Sequence, residues 1–211
     1  MKICVIGSPS TGKSVFARTL SAEMGKRGIN CELVQEYASA YIQQVGAPEQ
    51  AWEQLVISIG QYLSEQKTTR DHMVTDAAAF ATYVYAQRAL PKMINSRVWP
   101  KYRHLLDMLR TLARISAESY DLIFLLTHVF LPRQDGVRLE THLSYDECKE
   151  INRDMEVYLE SERVAYHRLK ANSAKALGTA IQIIEQRLLI QSPQPKSHKE
   201  SDRLTIGIRS P

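Results

Sequence analysis

The chain has 211 residues, of which 44% are hydrophobic and 24% are charged, and its formal net charge at pH 7 is +4. This length and balance are typical of one folded domain and argue against a wholly disordered chain. No apolar run approaches the roughly 20 residues that a membrane-spanning helix needs, and the N-terminus does not resemble a secretory signal. We therefore expect a cytoplasmic protein with no membrane association. The mild positive charge neither requires nor excludes DNA as a partner, because nucleic-acid-binding proteins usually carry a denser basic stripe.

The predicted elements begin with a βαβ unit. Lys2–Ile6 is a short β-prone run without alternation, as in a buried parallel strand. Phe16, Leu20 and Met24 then recur every four residues, which predicts a helix with one buried face. Residues 31–35 resemble a second strand.

Helices and strands continue to alternate along the rest of the chain. Apolar spacing predicts helices over 48–68, 77–89, 100–117 and 177–188, and the capping-box spacing of Ser144 and Glu147 predicts the start of another. Further strands are predicted over 72–76, 122–126 and 164–169. This order predicts an α/β fold, a parallel five-stranded sheet with helices on both faces. We expect one domain over residues 1–190, with a lid near 127–143, and a disordered tail over 191–211 that is rich in prolines, serines and scattered charge.

The first turn after the first strand matches the phosphate-binding pattern G-x-x-x-x-G-K-[ST] at every fixed position. Its glycines let the loop wrap closely, so that backbone N–H groups point at phosphate oxygens, and the following helix adds the positive end of its dipole. Lys13 is expected to reach the β- and γ-phosphates, and Ser14 to ligate Mg²⁺. A guanine-reading N-K-x-D segment is absent, which disfavours GTP. The sequence therefore predicts an ATP site formed by Gly7, Ser8, Pro9, Ser10, Thr11, Gly12, Lys13, Ser14 and Val15.

Two carboxylates stand where predicted strands end. Glu36 follows the second strand, and Asp76 ends the third. Ligands of open α/β sheets bind beyond the carboxyl ends of the strands, so both side chains should face the phosphate site. We assign Glu36 to proton abstraction from a phosphate acceptor and Asp76 to Mg²⁺, both as catalytic residues. The alternative for each is a helix cap, because acidic residues favour the first turn of a helix.

Two arginines, Arg133 and Arg138, lie in the irregular stretch after the fourth strand. Phosphoryl transfer spreads negative charge over the equatorial oxygens, and arginines on a closing lid can stabilise that charge. Asp135-Gly136 favours a tight turn that aims the two guanidinium groups separately. We therefore expect both arginines to be catalytic, with a solvated basic loop as the alternative.

Three further side chains admit both a functional and a structural interpretation. His128 comes just after a predicted strand, where a histidine is more often packed or capping than catalytic. Tyr37 and Tyr41 lie one turn apart beside Glu36. Their rings could stack on a flat ligand, and plain core packing explains them equally well.

Four segments follow one another along the chain: residues 7–14, Glu36-Tyr37-Ala38, Val74-Thr75-Asp76 and Asp135-Gly136-Val137-Arg138. Together they resemble the nicotinamide-riboside kinase domain of the bifunctional bacterial NAD-biosynthesis regulators and the wider group of small AAA-type P-loop ATPases and kinases. The resemblance spans about residues 2–189 and implies a nucleoside-kinase-like fold of five parallel strands, with ATP, Mg²⁺ and a lid arginine. No segment corresponds to the nucleotidyltransferase domain of the bifunctional proteins.

These observations favour an ATP-dependent phosphotransferase that acts on a hydroxyl of a nucleoside-like acceptor, with nicotinamide riboside as the first candidate. One alternative is a phage-type kinase of a hydroxymethylated base in DNA, which the mild positive charge allows. Another is a regulatory ATP-binding or ATPase module that signals to a partner protein. The sequence predicts neither the acceptor nor the oligomeric state.

Overall fold

The computed structural model describes residues 1–46, 48, 51–88, 99–131, 143–170 and 173–191. Strands and helices alternate through these ranges. They are β1 (Lys2–Ile6), α1 (Lys13–Lys26), β2 (Cys31–Val34), α2 (Tyr37–Val45), α3 (Ala51–Gln66), β3 (His72–Asp76), α4 (Ala79–Arg88), α5 (Trp99–Glu118), β4 (Leu122–Leu126), α6 (Tyr145–Ser161), β5 (His167–Leu169) and α7 (Ala174–Gln191).

The five strands form one parallel sheet in the order β2-β3-β1-β4-β5. The first strand of the chain lies at the centre, where Ile3 is in register with Val74 of β3 on one side and Leu122 of β4 on the other. Each parallel pair needs a crossover connection, and the helices supply it. The predicted five-stranded α/β fold is confirmed.

Apolar side chains fill both faces of this sheet. Ile3 and Val5 of β1 point to the core shared with α1 and α7. Cys4 and Ile6 point the other way, into the core formed with α4, α5 and α6. Because both faces of each central strand are buried, these strands read as continuous apolar runs without alternation.

The structure corrects several predicted boundaries. The predicted second strand ends at Val34, and the predicted 164–169 strand is only His167–Leu169.

The predicted capping box is present, because Ser144 Oγ accepts a hydrogen bond from Glu147 N and Glu147 Oε2 accepts one from Ser144 N. Helix α2 is not predicted by the periodicity, since it has only nine residues and one of them is buried.

Helix α3 buries several polar residues and exposes several apolar ones, although Ile57 is buried as well. Gln61 and Glu65 are 3% and 2% exposed, whereas Trp52 and Leu63 are 56% and 51% exposed. The apolar spacing that predicts this helix therefore does not indicate its buried side. Gln61 and Glu65 belong to a buried hydrogen-bond network that includes Thr75, the residue before Asp76.

The described residues also bear on the cysteines, on membrane association and on the ends of the domain. Cys4, Cys31 and Cys148 are buried and form no disulfide. Within the described ranges, no helix combines the length and the apolar character that crossing a bilayer demands. Residues 132–142 of the lid predicted near 127–143, and residues 192–211 of the predicted tail, lie outside the described residues.

Candidate active site

The loop between β1 and α1 wraps tightly on itself. Ser10 and Gly12 have φ angles of 64° and 76°, in the left-handed region, and Gly12 occupies the N-cap position of α1. A Cβ added at Gly7 would lie 2.5 Å from Thr11 Oγ1, so only glycine leaves room for this path. Thr11 Oγ1 donates to Ser8 O at 2.9 Å across the loop. This closed backbone, followed by a helix N-terminus, fits the phosphate groups of a nucleotide.

Two contacts from outside the loop hold it against the sheet. Asn152 of α6 is buried, and its Oδ1 accepts from Ser8 N at 2.9 Å while its Nδ2 donates to Leu126 O at 3.1 Å. Phe130 N donates to Ser10 O at 2.8 Å. Asn152 therefore ties the loop to the end of β4. Sequence reasoning missed it, because one asparagine in a polar helix carries no local signal.

Lys13 and Glu36 meet at the carboxyl edge of the sheet. Lys13 Nζ lies 3.5 Å from Glu36 Oε1, and the side chains are only 8% and 16% exposed. Ser39 Oγ donates to Glu36 Oε2 at 2.6 Å. Glu36 occupies the N-cap position of α2, but its side chain makes no capping hydrogen bond. The structure thus turns this carboxylate toward the lysine of the loop, away from the cap role.

Asp76 lies at the same edge of the sheet. It is the last residue of β3, it is buried, and it is in register with Val5 of β1, the strand that leads into the loop. Helix α4 begins only at Ala79, so Asp76 is a strand residue outside the first helical turn. The next residue, Ala77, has a φ of 119°, a conformation that non-glycine residues adopt only under constraint.

The donor types at this edge fit a magnesium ion carried by a nucleotide. Within the described ranges, no group of three or more His, Cys, Asp or Glu side chains is arranged to hold a metal ion by itself. Mg²⁺ in nucleotide sites takes one or two protein oxygens and completes its octahedron with phosphates and water. Ser14, the second residue of α1, and Asp76 are oxygen donors of that kind.

Behind the two strand ends lies a buried polar network that sequence reasoning missed. Tyr120 OH donates to Glu65 Oε1 at 2.8 Å. Gln61 Nε2 donates to Glu65 Oε1 at 3.2 Å and to Thr75 Oγ1 at 2.9 Å. Burial raises the pKa of the Glu65 carboxyl, and the hydrogen bonds from Tyr120 and Gln61 partly offset that rise. The available signal was the i, i+4 spacing of Gln61 and Glu65 on one helix face.

The two tyrosines beside Glu36 make packing contacts between α2 and α3. Tyr41 is buried, and its hydroxyl donates to Glu53 Oε1 at 2.8 Å. The Tyr37 ring lies so close to Gly60 that a Cβ there would be 2.3 Å from Tyr37 Cε1. These contacts support the packing interpretation of both residues.

The segment after β4 is described as far as residue 131. His128 is exposed, and its ring packs edge-on against Phe130 with the ring centroids 4.6 Å apart. This contact agrees with the structural interpretation of His128. Arg133 and Arg138 lie outside the described residues, so their catalytic role stays a prediction.

Most of the chain matches a known protein family. The model of an AAA-domain family matches residues 2–176. Comparison with curated proteins found no match.

Two solved structures are similar to the chain over most of its length. A deoxyadenosine kinase from M. mycoides with the products dCMP and a flexible dCDP bound has a TM-score of 0.60 and 14% identity, covering 91% of this chain and 100% of the kinase. A NadR protein in complex with NR has a TM-score of 0.58 and 21% identity, covering 92% of this chain and 52% of NadR. The resemblance seen in the sequence is confirmed at the level of family and fold. The chain belongs to this AAA-domain family and has the α/β fold of the P-loop nucleoside kinases.

Proposed function

We propose that this protein is an ATP-dependent phosphotransferase that acts on a hydroxyl of a nucleoside-like acceptor, with nicotinamide riboside as the first candidate. One observation carries the proposal, the 3.5 Å approach of Lys13 Nζ to Glu36 Oε1. A phosphate-binding loop alone is compatible with plain hydrolysis. A carboxylate beside its lysine supplies the proton acceptor that transfer to a hydroxyl needs. The ligands named for the two similar structures, deoxynucleotides and NR, favour an acceptor of this class.

The first task of the chain is to hold the nucleotide. Backbone N–H groups of the loop and the Lys13 ammonium bind the phosphates, while Ser14 and Asp76 would hold Mg²⁺. ATP supplies the transferred phosphoryl group, and the metal ion neutralises charge that develops on its oxygens. Arg133 and Arg138 are proposed to add positive charge around the transferred group.

The second task is to prepare the acceptor. As the acceptor oxygen attacks the γ-phosphorus, Glu36 takes the hydroxyl proton, and the bond to the β-phosphate oxygen breaks. Ser39 holds Glu36 Oε2 by a 2.6 Å hydrogen bond, so that Oε1 is the oxygen presented on the Lys13 side. Glu36 acts on the acceptor and Asp76 on the metal, and their roles are therefore separable.

Phosphate transfer from labelled ATP to a panel of acceptors tests the proposal. The panel contains nicotinamide riboside, deoxynucleosides, nucleotides and duplex DNA with hydroxymethylated bases. We expect label on nicotinamide riboside or another nucleoside, and no transfer by Lys13→Ala. Label on the DNA alone would establish the polynucleotide alternative. ATP turnover that no acceptor stimulates would overturn the proposal in favour of a regulatory ATPase.

Substitution of the two carboxylates tests their separate roles. Glu36→Gln should lower single-turnover transfer by about 10²–10⁴-fold, because an amide is a very poor proton acceptor, while ATP affinity measured by calorimetry survives. Asp76→Asn should raise the Mg²⁺ concentration needed for turnover with every acceptor. Glu32→Gln, earlier in β2, is the matched control and should transfer normally. Loss of ATP binding in Glu36→Gln, with normal binding and failed transfer in Asp76→Asn, would mean that the roles are exchanged.

A further inference from the structure

Gln61 bridges the two turns that carry the site carboxylates. Its side chain projects from the middle of α3 and is 3% exposed. Gln61 Oε1 accepts from Tyr37 N at 2.8 Å, and Tyr37 directly follows Glu36. Gln61 Nε2 donates to Thr75 Oγ1 at 2.9 Å, and Thr75 directly precedes Asp76. One amide therefore connects the end of β2 with the end of β3.

The orientation of this amide is fixed by its partners. The oxygen faces a backbone N–H, which can only donate, and the nitrogen faces Glu65 Oε1 at 3.2 Å as well as Thr75. A flipped amide would set its oxygen against the carboxyl and its N–H groups against an amide N–H. An apolar side chain of the same size would leave the N–H of Tyr37 without this acceptor.

The contact with Thr75 also reaches the strained turn after Asp76. Thr75 Oγ1 donates to Ala77 O at 2.9 Å, and Ala77 is the residue with a φ of 119°. A strained backbone of this kind persists only where the surrounding contacts determine it. Since Gln61 and Ala77 both bond to the same hydroxyl, Gln61 helps to set the turn that aims Asp76.

The other end of the network anchors Gln61 to the body of the fold. Tyr120 OH lies 2.8 and 3.0 Å from the two oxygens of Glu65, and Ser116 Oγ donates to Tyr120 OH at 3.2 Å. Tyr120 and Ser116 belong to the end of α5 and the connection to β4. Gln61 therefore cannot shift without leaving a buried carboxyl short of a donor.

We propose that Gln61 is a positioning residue for phosphoryl transfer, which holds the Glu36 turn on the acceptor side and the Asp76 turn on the metal side in one rigid frame. This inference rests on the proposed function, in which those two carboxylates act on the acceptor and the metal. In this proposal, Gln61 itself contacts neither the acceptor nor the metal ion. Its loss should slow transfer and spare nucleotide binding, because the phosphate loop is held separately by Asn152.

The test compares Gln61→Met with Ser116→Ala, using nicotinamide riboside or the panel member that accepts phosphate. Ser116→Ala removes a buried hydrogen bond from the far end of the same network. We expect Gln61→Met to lower kcat by about 10–100-fold and to raise the Mg²⁺ requirement, with the Kd for ATP unchanged within about threefold. Ser116→Ala should keep its kcat although it also loses stability. Thr75→Val, a nearly isosteric change in a strand, should lower kcat in the same way as Gln61→Met. It serves as the test variant if Gln61→Met does not fold.

A double substitution shows whether Gln61 acts through Glu36. In the Glu36→Gln background, Gln61→Met should lower kcat by a smaller factor than it does in the wild type, because one of its targets is already lost. Equal factors in both backgrounds, or parallel losses of kcat and ATP affinity, would overturn the positioning role. If the wild-type protein transfers phosphate to no member of the panel, the proposed function fails. If the wild type transfers phosphate and the Gln61→Met and Thr75→Val variants do so at the same rate, the positioning role alone fails.

Discussion

At the scale of single residues, two glycines have opposite surroundings. A Cβ at Gly7 would lie 2.5 Å from Thr11 Oγ1, within the loop that we propose binds the phosphates. A Cβ at Gly178, inside α7, would meet nothing within 4 Å. The same added methyl group therefore tests the shape of the loop in one case and helix propensity in the other.

Gly7→Ala should weaken ATP binding by at least about tenfold, because the loop must open to admit the methyl group. Gly178→Ala should bind ATP normally and stabilise the protein by about 0.5–1 kcal/mol, the usual cost of glycine inside a helix. Calorimetric titration with ATP and thermal melting give the two quantities. Binding by Gly7→Ala within about twofold of the wild type would mean that the loop has room for a Cβ at this position.

At the scale of secondary structure, α3 shows that the local sequence pattern predicts the presence of a helix but not which of its sides is buried. Its apolar spacing identifies a helix, since that spacing depends only on the period of the backbone. Polar side chains lie on its buried side, beside Ile57, because Gln61 and Glu65 meet Thr75 and Tyr120, which are distant in sequence. Partners of this kind cannot be read from the helix alone.

The same distinction holds for the site. The phosphate loop and Lys13 were predictable, because the motif's spacing itself dictates the backbone path. Glu36 and Asp76 were predictable as neighbours of the loop, because parallel strands end at one edge of a sheet. Asn152 was not predictable, and the i, i+4 spacing of Gln61 and Glu65 does not reveal their partners, since the contacts of Asn152 and Gln61 exist only in the folded chain.

The buried carboxyl on α3 makes stability depend on pH. Burial raises the pKa of Glu65 above its ordinary value of 4.5, so the folded protein retains this proton to a higher pH than the unfolded chain does. The stabilising contribution of the neutral carboxyl is complete below the ordinary pKa. It is lost as pH rises through the raised pKa of the folded state.

Urea denaturation across this pH window should therefore give a smaller free energy of unfolding at higher pH, and Glu65→Gln should reduce that slope. Glu118→Gln, which changes an exposed carboxylate on α5, is the control and should keep the wild-type slope. Equal slopes for Glu65→Gln and the wild type would mean that Glu65 does not titrate as its burial requires.

At the scale of the whole molecule, α7 completes the packing of one sheet face. Ile181 and Ile184 of this helix are buried in the core that contains β1 and α1. Helix α7 ends at Gln191, and the sequence that follows has no periodic apolar face. We therefore propose that the folded domain ends with α7.

Removal of residues 192–211 should then change the melting temperature by less than about 4 °C, which is roughly 1 kcal/mol in a protein of this size. Removal of residues 181–211 should abolish cooperative melting, because it also removes Ile181 and Ile184 from the core. A larger loss in the shorter truncation would mean that the tail packs against the domain.

The central position of β1 also has a consequence for the order in which the chain can fold during synthesis. This strand leaves the ribosome before β3 and β4, so Ile3 has both of its neighbours only after Val74 and then Leu122 have been synthesised. Pairings so distant in sequence slow folding, because a long loop must close before they form. A nascent chain that stops before β4 leaves one edge of β1 open, and that edge is a natural point for a chaperone to protect.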